Sequence, residues 1–194
     1  MSRKEAPSDP RLPPGQVVTR KWPVLTHGPT PVVEKEDYRL RVCGLVAEEK
    51  TFTWADLMAL PQTELVTPMH CVTRWSNFDN RWVGVRCRDF LQEVKLLPEA
   101  RYVLEHSYGG YTTNVPLAAL LEDDALLAHT WNGAPIPREH GYPLRMLLPK
   151  LYLWKSAKWL HGLEFLAADR PGFWEVNGYH MRGDPWREER YSDS

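Results

Sequence analysis

Prolines constrain this chain more than any other residue type. Seventeen are spread through 194 residues. Each fixes φ and removes a backbone donor, so the chain must turn often. That favours short strands and loops over a helical bundle. Nine tryptophans and eight tyrosines accompany them, and side chains of that size need a large core or a ligand cleft. The length suits one sizeable domain or two small ones. A net charge of −1 supplies no basic field for nucleic acid, and no polybasic tract targets a membrane surface. No apolar run approaches the ~20 residues of a membrane span. The segment MSRKEAPSDPRLPPGQ has neither an apolar stretch nor a twin arginine, so a cytoplasmic protein is expected. Three cysteines, Cys43, Cys71 and Cys87, without a CxxC spacing argue against a disulfide framework or a closed zinc site.

Residues 1–21 are polar and proline-rich and are expected to form a flexible arm, disordered or draped on the surface. Residues 22–194 then form a single domain. DYRLRVCGLV alternates Tyr38, Leu40 and Val42 against Arg39, Arg41 and Cys43, which predicts a strand ending at Gly44. Thr53 caps a short helix in TFTWADLMALP. TELVTPMHCV is a strand with Cys71 at its end, followed by an exposed loop, RWSNFDNRW. RWVGVRCRDFLQEVKLLP passes from extended chain into helix. RYVLEHS is a strand, GGYTTNV a loop or hairpin, and PLAALLED a short helix opened by Pro116. ALLAHTWNG and PLRMLLP are strands, 156–167 a longer one, and the tail is irregular and aromatic. The fold class is α+β, mixed and β-rich, without the long helical crossovers of a doubly wound sheet.

Glycine-rich phosphate loops, HExxH and GxSxG are absent. None of the seven histidines pairs at ligand spacing. Cys43 and Cys87 read as packed thiols. Cys71 is different: it ends a strand, where reactive groups are often presented. Arg74, and His70 if protonated, would favour its thiolate. It could attack a substrate, bind a soft metal, or simply pack. His70 is a poor base for it, because adjacent strand residues face opposite sides. The second candidate region is HGYPLRMLLPKLYLWKSAKWL, where His140, Arg145, Lys150, Lys155 and Lys158 interrupt apolar sequence. A solvated charged face is one reading. Arg145 inside PLRMLLP favours another, a half-buried cation holding a phosphate.

Taken in order, MHCVTRWS with RWVGVRCRDFL, HGYPLRMLLP, KSAKWL and GFWEVNGYH resemble the motifs of the sulfite oxidase-like family, the oxidoreductase molybdopterin-binding domain. The likeness spans about residues 22–190. It implies the sulfite oxidase-type molybdopterin-binding fold and a molybdenum-molybdopterin cofactor, with Cys71 the thiolate ligand of the metal. His140 takes a cofactor-contact position, Arg145 grips the pterin phosphate, and Ser156, Ala157 and Lys158 form a second cofactor loop, Ala157 through its backbone. His27 is a further pterin contact. His106 stands where some relatives place a cofactor-contacting threonine, a departure from the pattern.

Arg74, Tyr111 and Tyr179 are the candidates on the substrate side, and the resemblance places Tyr179 near the open face of the metal. Sulfite oxidases of animals and plants follow the cysteine with an arginine-rich stretch, and here only Arg74 follows closely. The chain is more similar to single-domain bacterial members, with no fused haem or dimerisation domain. The expected activity is two-electron oxygen-atom transfer on a small substrate, sulfur-containing compounds included, with a separate electron carrier as partner. The alternatives are a cofactor-independent thiol enzyme using Cys71 and a non-catalytic pterin-binding domain.

Overall fold

A computed structural model describes residues 9–193. The elements in chain order are β1 (Val17–Val18), β2 (Arg39–Gly44), β3 (Lys50–Thr53), α1 (Trp54–Ala59), β4 (Gln62–His70), β5 (Trp75–Arg86) and α2 (Cys87–Phe90). They continue with β6 (Tyr102–Ser107), β7 (Thr112–Pro116), α3 (Leu117–Leu120), β8 (Leu126–Trp131), β9 (Ala134–Pro135), β10 (Arg145–Leu147), β11 (Leu160–Leu166) and α4 (Phe173–Val176). Among the described residues the strands make two mixed sheets. The first has the order β1-β5-β8-β10, with β4 also on β5 and β9 on β8; the second runs β3-β2-β11-β6-β7. Only β1–β5 and β2–β11 are parallel pairs among them.

Alternation explains how the sheets stack. In β2 the side chains of Leu40 and Val42 are fully buried while Arg39 and Arg41 face out. One apolar cluster joins Val42, Val103 and Phe165 of the second sheet to Val85, Leu127 and Met146 of the first. The first sheet also buries its other face, where Met69, Trp82, Leu126 and Leu147 pack together. A sheet buried on both faces has no polar side to sacrifice. Thr53 caps α1 through a capping box with Asp56, as its position predicts.

Three expectations are corrected. RWSNFDNRW is not an exposed loop; from Trp75 it is the long strand β5. Its polar side chains are satisfied by pairing: Ser76 Oγ lies 2.8 Å from His70 Nδ1, and Asn80 accepts from the Trp131 indole and donates to the Asn77 carbonyl. Polar composition therefore did not mean solvent. The predicted strand over 156–167 begins only at Leu160, because Trp159 sits at φ 51° and breaks the extension. The helix expected after Cys87 is a single turn. Of the 1–21 segment, residues 1–8 lie outside the described residues. From Val17 it lies along the sheet edge as β1, and Gln16 is buried and donates to the Cys71 carbonyl at 3.0 Å.

Behind the aromatic tail lies an ion pair whose two side chains are fully buried, Lys155 Nζ to Glu175 Oε1 at 2.6 Å. Glu175 also accepts from Thr113, the Trp154 indole and the Gly172 amide. Lys155 donates to Asn114 and to the Met181 carbonyl. Removing one partner of such a pair strands the other charge. Glu175→Ala is expected to cost ~3–5 kcal/mol in urea unfolding.

Candidate active site

The ends of both sheets leave a cavity of about 380 Å³. Cys71 is at one end of it. β4 delivers the cysteine to a tight turn: Cys71 N–H donates to the Trp75 carbonyl, Arg74 N–H donates to the Cys71 carbonyl, and Arg74 takes φ 71°. Sγ lies 3.1 Å from Thr73 Oγ1. Burial pushes the thiol up, against the pull of Thr73, the local amides and Arg190. His70 faces away toward Ser76, and burial holds it down at about 4. It is therefore neutral and no base for Cys71, as the strand geometry predicts.

Arg145 marks the other end, 2% exposed. Its guanidinium donates to three backbone carbonyls, of Met146, His140 and Ser156, at 3.2, 2.7 and 3.0 Å. Its plane lies over Trp22, 5.3 Å from the ring. Burial lowers it to about 10, with Glu105 and Tyr111 opposing, so it remains a cation at neutral pH. Lys158 donates to the carbonyls of Leu25 and Glu139, both at 2.9 Å. Burial and then Arg145 lower it to about 8. Neither cation has a carboxylate hydrogen-bonded to it among the described residues. Glu105, fully buried nearby, is raised to about 8 by desolvation and acts on Arg145 only through space, as Glu139 does on Lys158.

Segment 22–27 roofs the cavity because Trp22 is anchored. It stacks on His140 at 3.8 Å and meets Trp82 and Trp131 edge-on. His140 is held down at about 4 by burial and by Arg145, so it is a neutral ring. His27 follows at the rim, 4.4 Å from Phe173. The wall near Cys71 is aromatic: Tyr179 stacks on Trp174 at 4.9 Å and meets Trp154 edge-on at 5.0 Å.

The cavity thus gathers Cys71, His27, Tyr111, Tyr179, His140, Arg145, Ser156 and Lys158. Three expected residues are placed elsewhere. Arg74 is exposed on the outer side of the turn, its guanidinium against Gly15, because its left-handed backbone throws the side chain outward. His106 is bonded to Glu164 at 3.0 Å on the second sheet. Ala157 borders the cavity through its neighbours, yet its own N–H donates to Glu105 and its carbonyl accepts from Met146, so its backbone is already used. Within the basic segment, Lys150 is exposed and paired with Glu122, and Lys155 is neutralised by Glu175. Tyr111 spends its hydroxyl hydrogen on the Trp154 carbonyl at 2.5 Å. Sequence reasoning named no tryptophan as a site residue, although Trp22, Trp75, Trp154, Trp159 and Trp174 all line the cavity. Their excess in the composition was the available signal.

Gly141 closes the cationic end. It has φ 117°, and a Cβ there would lie 3.0 Å from Arg145 Cβ and 3.1 Å from Lys158 Cα. Gly141→Ala is expected to cost about 1–3 kcal/mol from the backbone conformation alone, read as a lower midpoint in urea unfolding.

The model of the family described as "Oxidoreductase molybdopterin binding domain" matches residues 27–174. The oxidoreductase YuiH of Bacillus subtilis (strain 168) is 47% identical over 183 residues, 94% of this chain and 92% of that protein. The mitochondrial sulfite oxidase of Drosophila melanogaster is 28% identical over 80% of this chain, which spans only 32% of that protein. The crystal structure of the sulfane dehydrogenase SoxCD from Paracoccus pantotrophus superposes with a TM-score of 0.66 at 25% identity, covering 73% of this chain and 41% of that one. The α+β, β-rich fold is therefore the sulfite oxidase-type fold expected from the motifs, and the chain belongs to the oxidoreductase molybdopterin-binding domain family.

Proposed function

We propose that this chain is a molybdenum-molybdopterin-dependent oxidoreductase, with Cys71 the protein's ligand to the metal and Arg145 and Lys158 the clamp on the pterin phosphate. One observation carries the reading. A single cavity has one cysteine sulfur at one end and, at the other, two cations that bond only carbonyls. The donor set fits that cofactor. Among the described residues no group of three or more His, Cys, Asp or Glu could hold a metal ion. A metal here must bring most of its own ligands, and a pterin dithiolene does so. Soft sulfur donors match the metal, and a buried guanidinium bonded to no carboxylate among the described residues matches a phosphate.

When bound, the cofactor supplies two-electron redox chemistry and oxygen-atom transfer. The chain's own residues bind, orient and exclude water. Arg145 and Lys158 fix the anionic end, the neutral His140 and Ser156 contact the pterin, and His27 covers it. Trp75, Trp154, Trp174 and Tyr179 dry the end near the sulfur, which strengthens any polar contact made there. That end carries no side-chain cation in its lining. An uncharged substrate fits it better than sulfite, and Tyr179 is the residue we assign to the substrate side. Electrons pass to or from a separate carrier. A thiol enzyme is disfavoured, since burial raises Cys71 and its neighbouring histidine faces away.

The test is metal and pterin content after purification from a host that makes molybdopterin. Wild type should hold molybdenum near one per chain. Cys71→Ala should lose metal-centred redox yet keep the wild-type circular dichroism spectrum; normal activity in that variant would sink the assignment. The charge of Lys158 is present below about pH 8 and lost above it. Pyrophosphate binding to cofactor-free protein should therefore weaken roughly tenfold as pH rises through 8, the scale of one charge-assisted bond. Lys158→Arg should flatten that profile in calorimetric titration.

A further inference from the structure

The turn that presents Cys71 does more than aim it. Thr73 Oγ1 stands 3.1 Å from Sγ, the one side-chain hydrogen bond to that sulfur among the described residues. Thr73 is itself exposed and lines the cavity, so the fold does not need its side chain for packing. With the thiol protonated, either atom could donate. Once the sulfur is a thiolate bound to a metal, it can only accept, and the Thr73 hydroxyl becomes the donor. Hydrogen bonds to a ligating sulfur withdraw electron density from the metal–sulfur bond and favour the reduced metal. Arg190 supports the same turn from behind. It is 4% exposed in its side chain and donates to the Val72 carbonyl at 2.7 Å.

We propose that Thr73 is a positioning residue that sets the reduction potential of the metal by donating its hydroxyl to the Cys71 sulfur. The proposal rests on the reading of Cys71 as the metal ligand. It accounts for a hydroxyl two residues after the cysteine that the phosphate clamp and the aromatic wall leave unexplained.

The experiment compares wild type, Thr73→Val and Thr73→Ser, each purified from a molybdopterin-producing host. Molybdenum content is measured first. The midpoint potential is then measured without substrate, by redox titration followed by electron paramagnetic resonance. Thr73→Val keeps the shape and removes the donor; Thr73→Ser keeps the donor. The expected result is equal metal content, a more negative potential in Thr73→Val, and return toward wild type in Thr73→Ser. An unchanged potential in Thr73→Val at equal metal content overturns this proposal and leaves the ligand assignment standing. Loss of metal from both variants while wild type stays loaded marks a packing role and also overturns it. Absence of molybdenum from wild type overturns the ligand assignment and this proposal with it.

Discussion

The buried guanidinium of Arg145 organises the site. Its three carbonyl bonds reach His140, Met146 and Ser156, tying a loop, a strand and a second loop to one planar group. A lysine could not do this, because its three donors lack the fixed fork of a guanidinium. The bonds use three of the five guanidinium donors without neutralising the charge. A buried cation left in that state is costly without an anion nearby, which is what supports the phosphate-clamp role proposed for it.

Lys155 shows the contrasting use of a buried cation. It lies ten residues further on, has Glu175 at 2.6 Å, and is spent inside the protein. The pair fixes the Trp154 indole, which forms part of the wall near Cys71. One basic segment thus contributes a structural cation behind the wall and two cations that line the cavity. Cation count in the sequence does not separate these roles; the position of each carboxylate does.

The sequence was most legible where its pattern is local. The alternation of Tyr38, Leu40 and Val42, the Thr53 cap and the strand end at Cys71 each depend on neighbouring residues alone. It misled where long-range pairing intervened. Ser76, Asn77 and Asn80 look like loop residues until His70, the Lys21 carbonyl and Trp131 satisfy them in turn. Arg74 follows Cys71 closely in sequence, but a left-handed residue in a tight turn sends the side chain away from the cavity. His106 had a plausible strand-end position, and Glu164 on the adjacent strand claims it instead.

By itself the sequence determined the β-rich class and singled out Cys71 and the residues of 140–158 that line the cavity. These follow from local periodicity and from motifs in a fixed order. Only the tertiary structure decided which cations line the cavity, which tryptophans wall it, and that Arg190 reaches the Cys71 turn from behind. Those facts depend on where distant segments cross. Charge and accessibility are properties of that crossing, and no short stretch of sequence contains it.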